Sequence, residues 1–213
     1  MIAAKKINKN FSEPVLRDVT IFAMPGEICG IAGENGSGKS TLLSILAGLI
    51  PPDSGELDLP SRIGYVPQEA ALFDNLSVRD NILFWSAVSR VPPGPIFCED
   101  VYKKKVKHLS GGMRKRLSIA LACLNDPECL IMDEPTAALD IGFKGELAQM
   151  MRDMRSEGRS IVFSSHQPDE LLWCDRIYIL RGGVFVYEGS PHEITDLPGA
   201  LYGAGDKGIY PGL

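Results

Sequence analysis

Residues 33–41 form the segment Gly-Glu-Asn-Gly-Ser-Gly-Lys-Ser-Thr, which is the strongest structural signal in the chain. An apolar run at residues 27–32 predicts a β-strand before it, and a leucine-rich run at residues 39–49 predicts a helix after it. Spaced glycines let backbone N–H groups converge on an anion, and the positive end of a following helix strengthens that site. The order of strand, glycine-rich loop and helix therefore predicts a phosphate-binding loop.

The residue types of this loop suit the binding of a nucleoside triphosphate. The Lys39 side chain can reach the terminal phosphates as a positive charge and so assist catalysis, and the Ser40 hydroxyl can bind Mg²⁺. Kinases, GTPases, motors and transport ATPases all carry such a loop, so it indicates the ligand but not the reaction. The residues assigned to the nucleotide are Gly33, Glu34, Asn35, Gly36, Ser37, Gly38, Lys39, Ser40 and Thr41.

Two carboxylates, Asp133 and Glu134, follow a short apolar run at residues 129–132. Ligands of open parallel sheets lie at the carboxyl ends of strands, so we expect both side chains beside the phosphate-binding loop. Asp133 suits Mg²⁺, either directly or through water. Glu134 suits the orientation or deprotonation of an attacking water molecule. An acidic pair alone is often part of an ordinary loop, and the neighbouring phosphate-binding loop favours the catalytic role.

The composition indicates one globular α/β domain in a reducing compartment. The chain has 213 residues, 45% of them hydrophobic, and its short apolar strands alternate with helical stretches, which predicts a largely parallel sheet. The net charge of −5 argues against nucleic-acid binding. No uncharged stretch exceeds 13 residues, which is too short for a membrane span. Five scattered cysteines favour a cytoplasmic protein without disulfides or a zinc site.

Five segments resemble the motifs of ABC-type nucleotide-binding domains and occur in the order typical of that family. The similarity extends over about residues 11–189, and a Leu-Ser-Gly-Gly signature followed by a basic helix is specific to this family among P-loop proteins. The segments are the loop at 33–41, Tyr-Val-Pro-Gln-Glu at 65–69, Leu-Ser-Gly-Gly-Met-Arg-Lys-Arg-Leu-Ser-Ile-Ala-Leu-Ala at 109–122, Leu-Ile-Met-Asp-Glu-Pro-Thr-Ala-Ala-Leu-Asp at 130–140 and Ser-Ser-His at 164–166.

This resemblance implies a fold. It is a P-loop NTPase core with a mostly parallel sheet, an N-terminal antiparallel β part and a helical subdomain at about residues 69–115, all within a single ABC ATPase domain of residues 1–213. The interval between Gln68 and the signature is shorter than is usual in the family. We therefore expect a shortened helical lobe.

The resemblance also implies roles for three side chains of one subunit. Phe11 would stack on the adenine ring, although an ordinary core residue beside a strand is an alternative. Gln68 would contact Mg²⁺ or the attacking water and face a membrane partner, although it could be a simple turn residue. His166 would lie near the terminal phosphate and assist catalysis, although a structural histidine is the alternative.

Four further residues would act on the nucleotide of a second subunit. Ser110, Gly111 and Gly112 belong to the signature, whose small residues expose N–H groups at a helix start. Asp140 would bridge the two subunits. Ser110 could instead serve as an ordinary helix cap. Asp140 could also cap the helix after it, and for Asp140 the two roles are compatible.

Together these features predict an ATP-binding and ATP-hydrolysing subunit of an ABC transporter. Two copies, most simply a homodimer, would close head to tail around two ATP–Mg²⁺ and power a permease subunit on another chain. The chain would lie on the cytoplasmic face of the membrane, bound through its permease, and its sequence is more similar to exporter-type subunits than to importers. The alternatives are a soluble ABC ATPase acting on ribosomes or nucleic acid, and a nucleotide switch with little hydrolysis.

Overall fold

A computed structural model describes residues 1–92, 99–137, 139 and 141–202. Strands and helices alternate along this part of the chain. The strands are β1 (Ile2–Asn10), β2 (Pro14–Ala23), β3 (Ile28–Ala32), β4 (Ser54–Asp58), β5 (Ile63–Val66), β6 (Cys129–Met132), β7 (Ser160–Ser165), β8 (Arg176–Arg181) and β9 (Val184–Gly189). The helices are α1 (Lys39–Leu46), α2 (Val78–Ser89), α3 (Glu99–Tyr102), α4 (Gly111–Ala122), α5 (Ile141–Ser156), α6 (Pro168–Leu171) and α7 (Leu197–Tyr202), with 3₁₀ turns at Val106–His108 and Pro191–Glu193.

The strands form two sheets that confirm the predicted α/β class. The larger sheet has the order β5-β6-β7-β3-β8-β9 and is parallel except for β9, which pairs antiparallel with β8. The smaller sheet is antiparallel, with the order β2-β1-β4. It corresponds to the predicted N-terminal antiparallel part.

Apolar clusters cover both faces of the larger sheet. Strand β3 shows the alternation, because Ile28 and Ala32 pack with α5 on one face while Cys29 and Ile31 pack with α1 on the other. A strand covered on both faces needs apolar residues at every position, and this explains the continuous apolar runs in the sequence. The cluster around α1 extends to the antiparallel sheet, so this helix joins the two sheets.

Parallel pairing brings four strand ends to one edge of the larger sheet. Ala32 at the end of β3 pairs with Ser165 at the end of β7, and Val66 at the end of β5 pairs with Met132 at the end of β6. The residues after each of these strands therefore emerge at the same edge. This is where open parallel sheets bind ligands.

Several element bounds differ from the sequence-based expectation. Strand β6 coincides with the apolar run at residues 129–132. The Ser77 side chain caps α2 by accepting a hydrogen bond from the N–H of Asp80. Helix α1 ends at Leu46 and not at residue 49, because Gly48 adopts a left-handed conformation with φ 72°.

Strands β1 and β4 are absent from the strand predictions. The register of β1 shifts repeatedly, and Lys6 lies in the left-handed region with φ 52°, so its residues do not alternate regularly between the two faces. β4 is short and mostly exposed and has the sequence Ser-Gly-Glu-Leu-Asp. Its pairing with β1 depends on residues about 50 positions away, which local patterns do not reveal.

The segment between Gln68 and the signature forms a small helical part with its own core. Residues from α2, α4 and the 3₁₀ turn at Val106–His108 meet there. That this helical lobe is shorter than is usual in the family stays a prediction. The buried residues of this core are Val78, Ile82, Val106, Leu109 and Leu117.

Candidate active site

The glycine-rich loop lies between β3 and α1 and takes a conformation that only glycine adopts without strain. Gly33 has φ 151° and Gly38 has φ 106°. A side chain at Gly33 would collide with the backbone oxygen of Leu180, and one at Gly38 would lie 3.1 Å from the backbone oxygen of Val15. The loop is therefore fixed between β2 and β8. Its last glycine starts α1 without a side-chain cap, so the helix presents its N-terminal amides to a ligand.

Lys39 lies inside the loop and is only 5% exposed. Its Nζ donates hydrogen bonds to the backbone oxygens of Gly33 at 2.8 Å and Glu34 at 3.0 Å. Burial lowers the pKa of Lys39, while the nearby carboxylates of Glu134 and Asp133 oppose that shift. The loop therefore holds a cation close to the acidic pair.

A cavity of about 360 Å³ brings together the phosphate-binding loop and residues from three other strand ends. Gln68, Glu134 and His166 all line it, as the parallel alignment of their strands requires. A larger cavity of about 640 Å³ lies on the antiparallel sheet and contains none of the motif residues. The residues around the smaller cavity are Val15, Asn35, Gly36, Gly38, Lys39, Ser40, Thr41, Gln68, Glu134 and His166.

The acidic pair is held by a serine of the neighbouring strand. The Ser164 hydroxyl donates to Oδ1 of Asp133 at 2.6 Å and accepts a hydrogen bond from the N–H of Glu134 at 2.9 Å. Glu134 has φ 43°, a left-handed conformation that is unusual for a residue with a side chain. Such strain persists where the surroundings impose it, often at functional sites. Here Ser164 supplies one of those constraints.

Gln68 and His166 both approach the Glu134 carboxylate. Gln68 Nε2 donates to Glu134 Oε2 at 3.4 Å, and His166 Nδ1 lies 3.6 Å from Glu134 Oε1. His166 Nδ1 is inaccessible to solvent and has no hydrogen-bond partner within the described part of the chain. The backbone oxygen of His166 accepts a hydrogen bond from the Tyr202 hydroxyl at 2.7 Å, so α7 contacts this segment.

Eight of the predicted site residues that the structure describes do not line this cavity. Phe11 lies in the turn between β1 and β2 and is 62% exposed, which excludes the core alternative. Ser110 caps α4 by accepting a hydrogen bond from the N–H of Met113 at 3.2 Å, so the predicted cap is present. Gly111 has open space around its Cα. Asp140 lies outside the described residues. The eight residues are Phe11, Ser110, Gly111 and Gly112, together with Gly33, Glu34 and Ser37 of the loop and Asp133, which directly precedes Glu134. The position of Asp140 stays a prediction.

The sequence reasoning missed two polar residues of the site. Ser164 belongs to the Ser-Ser-His segment, but only the histidine received a role there. Lys115 on α4 is 6% exposed and donates hydrogen bonds to the backbone oxygens of Pro67 and Gln68. Burial lowers its pKa, and Asp133 and Glu134 oppose the shift. Lys115 lies in a run of basic residues, which usually indicates a solvated surface, so no local signal identified it.

The fold and the loop define a P-loop nucleoside triphosphatase, and comparisons with known proteins specify its family. The sequence model of the ABC transporter family matches residues 16–137. The linearmycin resistance ATP-binding protein LnrL of Bacillus subtilis (strain 168) is 30% identical over 95% of this chain and 72% of that protein. The lipopolysaccharide export system ATP-binding protein LptB of Acidithiobacillus ferridurans is 31% identical over 93% of this chain and 93% of that protein.

A solved structure agrees with these relatives. The ATP-binding cassette MJ0796, a dimer in a post-hydrolysis state bound to ADP and Pi, superimposes with a TM-score of 0.78 and 25% identity over 90% of this chain and 99% of that chain. The chain therefore belongs to the ABC transporter family, and it is an ATP-binding, ATP-hydrolysing subunit that powers transport. The predicted family, fold class and ATPase activity are confirmed. Within the described residues, no helix combines the length and hydrophobicity that crossing a membrane requires.

Ser164 offers a test of the acidic site. Ser164→Ala removes the hydroxyl that holds the Asp133 carboxylate and the Glu134 N–H, so we expect the kcat of ATP hydrolysis to fall about ten- to hundredfold. Phosphate release under saturating ATP measures this effect.

Ser160→Ala is the matched control. Ser160 is 1% exposed on the same strand, but its hydroxyl contacts the backbone oxygen of Glu128 at the opposite end. This variant should keep a kcat within about twofold of the wild type, because it leaves the site intact. A Ser164→Ala enzyme as active as this control would show that the serine does not support the acidic pair.

Proposed function

We propose that two copies of this chain bind two ATP–Mg²⁺ between them, head to tail, and drive a membrane-spanning permease on a separate chain. One observation carries this proposal. The cavity gathers the phosphate-binding loop, Gln68, Glu134 and His166, whereas the signature residues lie elsewhere on the surface of the same copy. A second copy can supply the missing signature.

The phosphate-binding loop and Lys39 are suited to the nucleotide phosphates. Backbone amides of the loop and the start of α1 supply donors, and Lys39 supplies a charge that is already held in the loop. Phe11 is exposed in the turn between β1 and β2, and Lys9 Nζ lies 5.5 Å from its ring centre. An exposed aromatic ring is free to stack on adenine.

The oxygen ligands present fit Mg²⁺. Magnesium in nucleotide sites takes one or two protein ligands together with phosphates and water, so a cage of acidic side chains is not needed. Within the described residues no three histidine, cysteine or carboxylate side chains gather as a metal cage. The Ser40 hydroxyl, Gln68 and the buried Asp133 carboxylate would hold the ion, which would neutralise charge on the phosphates.

Glu134 is suited to act as the general base. Its carboxylate lines the cavity, and Gln68 and His166 approach it from different strand ends. A carboxylate in this place can accept a proton from a water molecule aimed at the terminal phosphate. Gln68 would orient that water, while His166 would contact the terminal phosphate and stabilise its developing charge.

The signature is suited to contact the nucleotide of a second copy. Ser110 caps α4, whose 12 residues direct the positive end of the helix dipole toward Ser110 and the exposed Gly111. A negatively charged phosphate on the facing copy would be stabilised there. Closure of the two copies would exclude water from both sites and complete them, and opening after hydrolysis would release them. Asp140, which follows the acidic segment, is assigned to the same contact between copies.

The permease is expected to dock beside Gln68. A groove of about 240 Å³ lies between β5 and the helical part, and Tyr65, Pro67, Leu72 and Trp85 line it. The indole N–H of Trp85 is buried there without a partner in the described chain. Phe84 is 43% exposed next to Trp85, with their ring centres 5.4 Å apart. A solvent-exposed aromatic cluster at a groove is typical of a protein interface.

This docking would place the chain on the cytoplasmic face of the membrane through its permease. The direction of transport is proposed to be export. LptB belongs by name to an export system, and this chain spans 93% of it. The cargo is determined by the permease.

Glu134→Gln tests the proposed catalytic role. The amide cannot accept the proton of water but keeps the size of the side chain, so kcat for phosphate release should fall at least about a hundredfold while ATP binding remains. In ATP and Mg²⁺ the variant should accumulate as a dimer, which light scattering after gel filtration measures.

Glu56→Gln serves as the control, since Glu56 lies in the cavity on the antiparallel sheet. It should hydrolyse ATP at the wild-type rate. If wild type and Glu134→Gln proved equally idle even with the permease present, a nucleotide switch would replace the proposed ATP-driven cycle.

Phe84→Asp tests the docking surface. The tagged protein is captured from membranes of its own organism in mild detergent, and the proteins that come with it are identified by mass spectrometry. The wild type should retain one multi-span protein in near-equal amount, and Phe84→Asp should lose it because a charge replaces an apolar contact.

Leu49→Asp is the matched control, because Leu49 is an exposed apolar residue, 60% exposed, that does not line the groove. It should retain the same membrane protein. Ribosomal proteins in place of a membrane protein would contradict the permease proposal and favour a soluble ABC ATPase.

A further inference from the structure

Lys115 connects the helix that begins at the signature to the segment that carries Gln68. Its Nζ donates to the backbone oxygen of Pro67 at 3.2 Å and to that of Gln68 at 3.0 Å. The side chain is 6% exposed, so these contacts are shielded from solvent. Gln68 in turn donates to Glu134, so one chain of contacts leads from α4 to the acidic site.

The two basic residues next to Lys115 in the sequence make different contacts. Arg114 forms an ion pair with Asp74, and Arg116 forms one with Glu146 on α5. Three consecutive basic residues thus reach three different parts of the protein. Of the three, Lys115 is the buried one and the one bound to the segment beside the cavity.

A buried cation is costly, and a purely structural contact to two carbonyl oxygens does not require one. Within the described residues no carboxylate lies within 4.0 Å of Lys115 Nζ. The charge instead strengthens both hydrogen bonds to the backbone, since charged donors bind carbonyl oxygens more strongly than neutral ones. A strong, directional contact is suited to transmitting small movements.

We propose that Lys115 is a positioning residue that couples the signature helix to Gln68 and so keeps the Gln68 side chain within reach of Glu134. This inference rests on the proposed roles of Gln68 and Glu134 in hydrolysis. A shift of α4, caused when the signature meets a second copy's nucleotide, would move Gln68 through Lys115. Pro67 lines the groove assigned to the permease, so docking there would act on the same contact.

Three variants test the coupling. Lys115→Met keeps the unbranched apolar stem of the side chain and removes both hydrogen bonds, so kcat for ATP hydrolysis should fall about tenfold. The KM for ATP and the affinity for a fluorescent ATP analogue should change less than about threefold, because no group that contacts the nucleotide is altered. Lys115→Arg keeps a cationic donor and should restore kcat to within about threefold. Arg116→Met, on the same helix, is the control and should hydrolyse ATP at the wild-type rate.

A double-mutant cycle separates this inference from the proposed function. If Lys115 acts through Gln68, Lys115→Met should slow hydrolysis little further once Gln68→Ala is present. A Gln68→Ala variant with normal kcat would overturn the proposed role of Gln68. If Gln68→Ala lowered kcat but Lys115→Met did not, only the role of Lys115 would be overturned. Fully additive losses of kcat in the double variant would also overturn the role of Lys115 alone.

The coupling can still be tested if Lys115→Met does not fold. Thermal unfolding identifies such a failure, and Lys115→Gln then takes its place in the same cycle, because glutamine keeps a donor while losing charge and length. Its loss of kcat should again disappear in the Gln68→Ala background. A loss that persists there, or a lowered affinity for the ATP analogue that accounts for the loss of kcat, would contradict coupling through Gln68.

Discussion

Parallel pairing of β5, β6, β7 and β3 is the constraint on which the rest of the site depends. Because neighbouring parallel strands end at one edge, the glycine-rich loop, Gln68, Glu134 and His166 meet there although they are distant in sequence. Apolar clusters on both faces of the sheet hold that alignment. The polar residues can therefore lie at the edge without weakening the core, and Ser164 can hold the Asp133 carboxylate and the Glu134 backbone N–H from the adjacent strand.

The site combines two buried cations with a pair of carboxylates. Lys39 is held by the loop and Lys115 by the Gln68 segment. Burial lowers the pKa of both lysines, and the carboxylates of Asp133 and Glu134 oppose that shift. This arrangement brings opposite charges close together without direct pairing of the lysines with the acids. Such fixed charges can stabilise negative charge that develops on a phosphate without costly rearrangement. Lys115 extends the site to the signature helix and hence toward the proposed second copy.

Sequence reasoning predicted the parts of this structure that local patterns encode. The phosphate-binding loop and β6 with its acidic pair both follow from short, regular signals. β1 and β4 were missed because their pairing is long-range and their pattern is irregular or polar. Lys115 was missed because a basic run on a helix normally faces solvent, and its burial arises only when α4 packs beside the Gln68 segment.

The most direct test of a site shared between two copies is a mixed cross-link. One Glu134→Gln chain carries Asn35→Cys at the cavity and another carries Ser110→Cys at the signature, and the two are mixed with a short bifunctional thiol reagent. A head-to-tail dimer predicts a covalent pair of the two different chains that forms only in the mixture and only with ATP and Mg²⁺. A cross-linked pair that forms without ATP, that forms equally with either variant alone, or that is absent from the mixture would contradict the shared site.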